Sequence, residues 1–325
     1  MRAMVCDGTS GPAGLRLVDL PPPPLPPESV RIRVAAAGVN FSDRLLTEGR
    51  YQRKPPPPFP PGFEIAGTVM ETTRPDPALP PGQPVLAVLD HGGWAEEVVA
   101  PHDAVLPLPP GLDLDEAAAF PIAHGTAHFG LVDRARLIAG ETVLVHGAAG
   151  GVGLAAVACA KALGATVIAT AAGPERLAVA GEAGADHLLD AATPDLRAAV
   201  KDLTQGRGVD VVFDPVGGDL FDASIRCAAP EGRLLVVGFA SGRVPAPPAN
   251  LLLVKNLSVI GYDWGAMRTR APDRVMGSLA DALEAWAQGR LKGPRVGARR
   301  PLAEAQAALE ALAARAVTGK IVLRP

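Results

Sequence analysis

A glycine-rich segment near the middle of the chain does most to limit what it can fold into. Residues 143–153 read Val-Leu-Val-His-Gly-Ala-Ala-Gly-Gly-Val-Gly, an apolar run followed by a turn with glycine at every third position. An alanine-rich stretch follows and stops at Gly164, and a β-branched run at residues 165–170 comes next. This order of strand, tight turn, helix and second strand is the frame of a dinucleotide-binding βαβ unit.

The turn itself, residues 147–153, is called the glycine turn below, and its residue types suit a pyrophosphate ligand. The first turn of a helix presents unpaired N–H groups and the positive end of the helix dipole. Glycines let the backbone come close to the ligand. We therefore predict that dinucleotide phosphates bind to Gly147, Ala148, Gly150, Gly151, Val152 and Gly153. The alternative interpretation is a tight strand-to-helix turn without a ligand.

Composition argues against several functional classes. The net charge is −3, from 31 basic and 34 acidic residues, which favours neither nucleic acid nor an anionic membrane as a partner. Cys6, Cys159 and Cys227 lie far apart without a CxxC pair, so a four-cysteine zinc lobe is excluded and a reducing compartment is expected. The chain shows no signal-peptide pattern and no apolar run near the roughly 18 residues of a membrane helix. We predict a cytoplasmic protein.

Three regions of the chain differ in texture. Residues 1–120 are rich in proline and glycine and contain short alternating runs, of which Val30, Ile32 and Val34 are the clearest. Alternation of this kind predicts half-buried strands, here in a small irregular β barrel. Further strands of this domain are predicted at residues 65–69 and 85–89.

Residues 121–262 alternate between strand and helix patterns, which predicts an α/β fold with a parallel sheet of six strands. The predicted strands cover residues 143–145, 165–170, 187–190, 209–214, 233–238 and 257–261. Helices are predicted between most of them, for example over residues 174–183 and 194–203.

Residues 263–325 contain two amphipathic helices, near residues 275–288 and 302–314, and a closing strand at residues 319–324. We expect this last segment to return to the first domain, which would leave a cleft between the two domains as the place for a substrate.

The end of the second strand indicates which dinucleotide is bound. An NAD site usually has an acidic residue there, and this chain has Thr170 and Ala171 instead. Arg176 follows closely, and a guanidinium group suits a 2′-phosphate in geometry and charge. We predict NADPH, with Thr170 and Arg176 among its ligands. Glu175 keeps NADH open as an alternative, and Arg176 has the alternative role of a solvated residue in the first turn of a helix.

Several segments together resemble one known family. They are residues 38–43 (Gly-Val-Asn-Phe-Ser-Asp), 59–69, 125–127, 145–153 and 213–218. They resemble the medium-chain dehydrogenase/reductase superfamily, in its zinc-independent quinone oxidoreductase (ζ-crystallin-like) branch. The resemblance implies a GroES-like, β-rich catalytic domain and a Rossmann domain with the cofactor between them. It also implies hydride transfer from NADPH to quinones or to the C=C bond of enones. Many members are homodimers joined through the last strand of the Rossmann sheet, here residues 257–261.

The zinc-dependent relatives have a cysteine within the segment that reads Asn40-Phe41-Ser42 here, and a histidine at the position of Phe63. The resemblance therefore implies that no zinc is bound. A plain carbonyl without a Lewis acid accepts hydride poorly. A quinone or a conjugated alkene needs less help because its negative charge delocalises onto an oxygen. The missing ligand types thus favour quinones and α,β-unsaturated carbonyls, and Glu64 is expected to be structural.

The resemblance also implies roles for individual residues. Asn40 and Thr126 are expected near the nicotinamide, Gly238 and Phe239 along its face, and Arg315 near the cofactor phosphate. The catalytic candidates are Asn40, Asp43 and Tyr51, and the phenol of Tyr51 is suited to orient or protonate a developing oxyanion. Tyr51 and Trp264 are the candidate substrate contacts.

Each of these residues has a structural alternative. Asn40 is also typical of turns, Thr126 of helix starts and Arg315 of helix ends. Tyr51 has the alternative of packing within a loop, and Trp264 of packing at an interface. His124 and His128 are interpreted as packing residues.

The leading functional hypothesis is an NADPH-dependent, zinc-free reductase of small-molecule quinones or enones. The alternatives are a zinc-free enoyl-thioester reductase or alcohol dehydrogenase, and an NADPH-binding protein with a structural or partner-directed role.

Overall fold

The computed structural model describes residues 1–193 and 195–325. Pro194, the first residue of the helix predicted over residues 194–203, lies outside the described residues. The described chain divides into two compact units. Unit 1 comprises Met1–Ile122 and Pro294–Pro325, and unit 2 comprises Ala123–Gly293.

The strands lie, in chain order, at β1 (Arg2–Val5), β2 (Arg16–Asp19), β3 (Ser29–Val39), β4 (Glu64–Thr72), β5 (Pro84–Val88), β6 (Glu97–Pro101), β7 (Val105–Pro107), β8 (Thr142–Val145), β9 (Thr166–Ala171), β10 (His187–Asp190), β11 (Val209–Asp214), β12 (Ala228–Val236), β13 (Ser258–Gly261), β14 (Val296–Pro301) and β15 (Lys320–Arg324).

The α-helices lie at α1 (Phe41–Thr47), α2 (Leu114–Ala119), α3 (Pro121–Phe129), α4 (Gly151–Ala162), α5 (Pro174–Ala183), α6 (Leu196–Leu203), α7 (Gly218–Cys227), α8 (Ala249–Lys255), α9 (Trp264–Arg270), α10 (Pro272–Ala287) and α11 (Ala305–Ala313). A π-helical turn at Gly130–Arg134 follows α3, and single 3-10 turns lie at Gly11–Gly14, His102–Ala104 and Leu302–Glu304.

Unit 1 is built on a seven-stranded mixed sheet with the order β14-β15-β3-β4-β5-β7, in which β6 also pairs with β3. Only β14 and β15 run parallel, and the other pairs are antiparallel. The alternation predicted for β3 is confirmed, since Val30 and Ile32 are fully buried while Arg33 is exposed. The predicted barrel is corrected: within the described residues, strand pairing gives an open path from β14 to β7, from which β6 branches at β3, and no pairing between β14 and β7 closes it.

Unit 2 is a doubly wound α/β unit. Its six strands are all parallel and follow the order β10-β9-β8-β11-β12-β13, which confirms the predicted six-stranded sheet. The chain runs outward in one direction from β8 to β10 and in the other from β11 to β13. The order therefore reverses between β8 and β11, and ligands of such sheets bind beyond the carboxyl ends of the strands at this switch point. The glycine turn follows β8 directly.

Most predicted elements of unit 2 lie where the patterns placed them. The strands at His187–Asp190 and Val209–Asp214 and the helix at Pro174–Ala183 have the predicted bounds. The strand predicted at residues 233–238 is longer at its start and ends earlier, at Val236, because a register shift extends its pairing with β11 back to residue 228. Gly238 and Phe239 consequently lie in the loop after the strand.

The second boundary between the units differs from the prediction. The return to the first domain was expected at residue 263, and the structure has it at Pro294. The helices α9 and α10 stay with unit 2 because their apolar faces are covered there, including Trp264 and Leu279. The closing strand β15 pairs with β3, which confirms the expectation that the last segment returns to the first domain. No helix in the described part of the chain is long and apolar enough to cross a membrane.

Candidate functional site

The glycine turn joins β8 to α4 in unit 2. Gly147 has a φ of +59°, a conformation that favours glycine. A Cβ on Gly153 would overlap the carbonyl oxygen of Gly147 and lie 2.8 Å from the Cα of Ala148, so the start of α4 packs directly on the turn. Gly153 is buried, and its absent side chain serves this packing. The backbone conformation at Gly147 and the packing at Gly153 thus explain why these two positions are glycine.

Neither backbone conformation nor packing explains why residue 150 is glycine. Its φ of −85° and ψ of 166° are open to any residue, and a Cβ there would meet one atom only, the Gly147 carbonyl oxygen at 3.5 Å. Gly150 is exposed and is the N-cap of α4, and among the described residues no side chain caps the helix. The turn therefore leaves open space over uncapped N–H groups of the first helical turn. A dinucleotide pyrophosphate fits these features because it needs close backbone approach and helix N–H donors. Gly151 and Val152, both half-buried, begin this first turn.

Ala148 and Thr170 lie beneath the turn, and their predicted roles are corrected. Both are 0% exposed, and the Ala148 N–H donates to the Thr170 carbonyl oxygen at 2.9 Å. Neither residue has an atom that a ligand can reach. The sequence did not reveal this burial because the position of a residue in a strand does not say whether both faces of the sheet are covered there.

A buried hydrogen-bond chain engages the Thr170 side chain. The Ser224 hydroxyl donates to the Leu220 carbonyl oxygen at 2.7 Å, so it accepts from His146 Nε2–H at 2.7 Å. The Nδ1 atom of this tautomer then accepts from the Thr170 hydroxyl at 2.8 Å. His146 is completely buried, and burial lowers the pKa of its imidazole. The chain ties together the end of β8, β9 and α7 directly below the glycine turn.

The end of β9 carries no acidic residue, as the sequence shows. Ala171 is buried, and Gly173 follows with a φ of +80° as the N-cap of α5. Arg176 is the third residue of α5 and is half-buried. Asp190 at the end of β10 is occupied, because its carboxylate accepts from Gly173 N and Ala192 N. Arg176 is therefore the cationic candidate for a cofactor phosphate on this side of the sheet.

Beyond β11, Asp214 shapes the second loop at the switch point. Its buried carboxylate accepts from Val216 N at 2.7 Å and Gly217 N at 2.9 Å. The Asp214 carbonyl oxygen accepts from Gly238 N at 3.3 Å, which fixes the loop after β12 beside it. Phe239 at the tip of this loop is 42% exposed. An exposed aromatic ring beside a backbone-built loop is compatible with the predicted contact to a nicotinamide.

The predicted substrate contact Trp264 is corrected. Its side chain is only 6% exposed, and its ring lies against Gly125 of α3, where a Cβ would come within 2.5 Å of Cζ2. Trp264 therefore packs α9 onto α3, and its face is not available for stacking on a substrate.

Thr126, the residue after Gly125 in α3, is half-buried, and its carbonyl oxygen accepts from the Tyr262 hydroxyl. His124 Nε2–H donates to the Lys292 carbonyl oxygen at 3.3 Å, and His128 Nδ1 shares a hydrogen bond with the Ser278 hydroxyl at 2.7 Å, in agreement with the packing interpretation.

In unit 1 the predicted residue Asn40 belongs to a buried polar cluster. Its Nδ2 donates to Glu64 Oε1 at 2.8 Å, and its Oδ1 accepts from Lys320 Nζ at 2.5 Å. Lys320 also donates to Glu64 Oε1 at 2.6 Å and to the Val39 carbonyl oxygen at 3.1 Å. The other carboxylate oxygen of Glu64 accepts from Ile122 N at 2.7 Å. We call Asn40, Glu64 and Lys320 the amide cluster.

Lys320 is a functional candidate that sequence reasoning missed. It is 5% exposed although it starts strand β15, whose next three residues are fully buried. A lysine at the head of an otherwise apolar buried strand was the available signal, since buried lysines are almost always paired. What the sequence could not supply is the partner, which lies 256 positions away.

Asp43 was a catalytic candidate, and its role is corrected to positioning. It is fully buried, and its carboxylate accepts from Asn40 N at 2.7 Å and from Gly62 N at 3.1 Å. Burial raises the pKa of Asp43 to about 7, against the lowering effect of these hydrogen bonds and of Lys320. No atom of Asp43 reaches solvent, so it holds the start of α1 and does not contact a substrate.

Tyr51 retains a half-buried position beside an apolar cluster. Its ring is tilted on that of Phe63, with 5.1 Å between centroids and 53° between planes. Phe63, Phe59, Leu46 and Cys6 form the buried part of this cluster. Phe63 is 5% exposed, so an apolar side chain is buried at the position where the resemblance implies a histidine in zinc-dependent members. No three His, Cys, Asp or Glu side chains gather as a metal-binding group anywhere in residues 1–193 and 195–325.

Arg315 follows α11 in unit 1. It is exposed and has a φ of +54°, and its N–H donates to the Leu312 carbonyl oxygen at 3.1 Å. The left-handed conformation ends the helix and turns the chain toward β15. Its predicted contact with a cofactor phosphate stays a prediction.

Comparison with known proteins matches both units. The family model described as alcohol dehydrogenase GroES-like domain matches residues 26–110, and the one described as zinc-binding dehydrogenase matches residues 151–281. The chain is 42% identical, over 296 residues, to the quinone oxidoreductase-like protein 2 homolog of Nematostella vectensis, covering 90% of this chain and 81% of that protein.

Two solved structures extend this similarity. The quinone oxidoreductase of Thermus thermophilus, also solved in complex with NADPH, is 36% identical, with a TM-score of 0.84 and 100% of both chains covered. The quinone oxidoreductase of Escherichia coli complexed with NADPH is 28% identical, with a TM-score of 0.89 and again 100% of both chains covered.

Proposed function

The chain belongs to the quinone oxidoreductase-like enzymes of the medium-chain dehydrogenase/reductase superfamily, and we propose that it is an NADPH-dependent, zinc-free reductase of quinones and of the C=C bond of α,β-unsaturated carbonyls. The observation that carries the dinucleotide part of this proposal is Gly150. The protein has no need of a glycine there, and its missing side chain keeps the uncapped start of α4 open to a ligand.

The cofactor proposal rests on the chain's own donors and on the two relatives solved with NADPH. The N–H groups of Gly151 and Val152 would hold the pyrophosphate, and Arg176 would hold the 2′-phosphate. Ala171 in place of an acidic residue removes the usual partner of an NAD ribose. When bound, NADPH supplies the hydride of this chemistry.

The zinc-free proposal rests on which side chains stand at the metal-ligand positions of the zinc-dependent relatives. Phe63 offers no ligand atom, and the carboxamide oxygen of Asn40 is engaged by the ammonium group of Lys320. Neither belongs to the nitrogen, sulfur or carboxylate set that zinc prefers. A quinone or enone oxygen that gains negative charge needs a hydrogen-bond donor rather than a Lewis acid, and unit 1 offers the Asn40 amide and the Tyr51 phenol for that purpose.

The test is turnover by chelator-treated protein. NADPH consumption is measured with a small benzoquinone, with an enone and with an enoyl thioester, and bound metal is quantified in the same sample. Turnover of the quinone or the enone by metal-free protein supports the proposal. Turnover of the thioester alone would transfer the assignment to an enoyl-thioester reductase. NADPH binding without any turnover would indicate a structural or partner-directed role.

We also propose that two copies pair through β13. This strand is an edge of the sheet in unit 2, and an edge strand presents unpaired backbone groups to a second chain. The helix before it, α8, carries Leu253 and Val254 at 78% and 77% exposure. An apolar surface of this kind beside a free sheet edge is typical of a self-association site.

A further inference from the structure

The amide cluster places both groups of the Asn40 carboxamide between opposite charges. A lysine ammonium can only donate, and a glutamate carboxylate at neutral pH can only accept. Oδ1 must therefore face Lys320 and Nδ2 must face Glu64, as the distances of 2.5 Å and 2.8 Å show. Rotating the amide by half a turn would set its oxygen against the carboxylate and its N–H groups against the ammonium. The orientation of Asn40 is thus determined by charge.

One N–H donor of the amide cluster, on Asn40 Nδ2, is left without an acceptor within the described residues. Lys320 donates to three acceptors, which are Val39 O, Asn40 Oδ1 and Glu64 Oε1. An Asn side chain has two Nδ2 hydrogens, and within the described residues the structure gives a partner, Glu64, to one of them. Asn40 is 8% exposed, whereas Glu64 is fully buried. Lys320 is 5% exposed. Of the two partners of the Asn40 amide, the carboxylate of Glu64 therefore has no contact with solvent.

We propose that Lys320, together with Glu64, is a positioning residue that aims the remaining Nδ2–H of Asn40 at the substrate oxygen on which negative charge develops. The inference rests on the proposed reduction of quinones and enones. A donor fixed before the substrate arrives stabilises developing charge without reorganisation, which makes such donors effective. Both acceptor classes carry an oxygen that gains charge, so the same donor serves both.

Removing Lys320 alone is not a clean test. It would leave the buried Glu64 carboxylate without its cation, and such a change strongly destabilises a protein. The double variant Lys320→Met/Glu64→Gln removes both charges and keeps the volumes close to those of the wild type. A neutral pair in place of a buried ion pair is often tolerated. It leaves the Asn40 amide free to rotate.

The decisive measurement is kcat for the enone in four proteins: wild type, Asn40→Ala, Lys320→Met/Glu64→Gln, and the triple variant. Loss of an aligned oxyanion donor lowers kcat by about 10²–10³. We expect kcat for the enone to fall at least about tenfold in Asn40→Ala and in the double variant, as part of that donor effect. The enone KM and the NADPH Kd should stay within about twofold of the wild type. The triple variant is expected to match Asn40→Ala, because Lys320 and Glu64 act only through the amide.

Two results would overturn the inference. One is a double variant with kcat within about twofold of the wild type while Asn40→Ala is impaired. The other is a triple variant whose loss is the product of the two separate losses, which would mean that the pair acts independently of Asn40. Arg324→Met is the matched control: it lies on the same strand and breaks an ion pair with Asp115 in unit 1, and we expect unchanged kcat.

A readout without turnover separates this inference from the proposed function. The two Asn40 Nδ2 protons are followed by NMR in the cofactor-free protein. Wild type is expected to show one slowly exchanging proton, which becomes fast in Lys320→Met/Glu64→Gln. If no acceptor is turned over but this difference is present, the proposed function fails and the positioning stands without its substrate. Equal exchange in both proteins would overturn the positioning itself.

Discussion

The ammonium group of Lys320 and the carboxylate of Glu64 lie 2.6 Å apart in the interior of unit 1, although 256 positions of sequence separate them. Strand β15 supplies the lysine and β4 supplies the glutamate, and β3 lies between the two in the sheet. Asn40, just after β3, bridges the pair. The return of the chain to unit 1 thus completes the polar cluster around the predicted catalytic amide.

The two ends of the glycine turn are expected to respond differently to the same substitution. Gly153→Ala should destabilise the protein by about 1–3 kcal/mol, because a methyl group there overlaps the backbone of the turn. Gly150→Ala should cost less than about 1 kcal/mol, since its Cβ has room. It should nevertheless raise the Kd of NADPH by about tenfold or more, which corresponds to ~1.4 kcal/mol. Thermal unfolding and fluorescence titration measure the two effects. Tight NADPH binding by Gly150→Ala would count against a phosphate site at the turn.

Arg176 should decide between the two dinucleotides. Arg176→Ala is expected to weaken NADPH binding by at least about tenfold, because a charge-assisted hydrogen bond contributes about 1.5–3 kcal/mol. NADH binding should change by less than about twofold. Arg197→Ala, an exposed arginine on α6 of the same unit, is the control for a general change in charge. Equal losses for NADPH and NADH would remove Arg176 from the 2′-phosphate site.

His146 should make the protein sensitive to acid. Its folded pKa lies below the ordinary value of 6.5, so below that pH the unfolded chain takes up a proton that the folded chain refuses. The stability contribution of His146 is therefore lost as the pH falls from 6.5 toward its folded pKa. His146→Gln keeps a neutral hydrogen-bonding group and should show a flatter dependence of Tm on pH in this range. Identical slopes for variant and wild type would contradict a neutral, buried imidazole.

Asp43 should act in the opposite direction. Its pKa is raised from 3.8 to about 7 in the folded protein, so the folded state binds the extra proton between these values. Its stabilising contribution is complete below pH 3.8 and is lost as the pH rises to about 7. We expect the Tm of the wild type, relative to Asp43→Asn, to fall across this window. A difference in Tm that stays constant with pH would show that Asp43 is ionised throughout.

The edge strand β13 provides a test of self-association. Ser258→Lys places a charge at an exposed position of the strand that is proposed to meet its own copy, and like charges directly opposite destabilise a strand pair. Wild type is expected to elute as a dimer in size-exclusion chromatography with light scattering, and the variant as a folded monomer. Ile138→Lys, at a 65% exposed apolar position of unit 2, should remain dimeric. A monomeric wild type would end this proposal.

The sequence predicted the sheet of unit 2 well because its signals are local. Each of its strands is a short apolar or β-branched run, and the glycine turn follows the first of them directly. Burial of a side chain by residues that are distant in the sequence could not be predicted from local patterns. Thr170 was assigned to the cofactor from its place at the end of the second strand, and Trp264 to the substrate as an aromatic ring. In the structure the Thr170 hydroxyl is hydrogen-bonded to His146, and the Trp264 ring lies against Gly125.

Unit 1 shows the same division. Asn40 was found from its motif, whereas Lys320 was only part of a terminal strand pattern. Its role became visible when β15 was seen to pair with β3 and to bring the ammonium group to Glu64. Asp43 was predicted to be catalytic from the same segment as Asn40, but its complete burial changes its role from contact with a substrate to support of the loop that carries Asn40.

The central claim, direct reduction by NADPH, is tested most directly with isotope-labelled cofactor. Metal-free protein is incubated with an enone and NADPH that carries deuterium at the transferred position of C4, and the product is analysed by mass spectrometry and NMR. The account predicts one deuterium at the β-carbon of the saturated product for each NADPH consumed. A product whose β-hydrogen comes from the solvent would contradict it, and so would the absence of product together with no turnover of the benzoquinone.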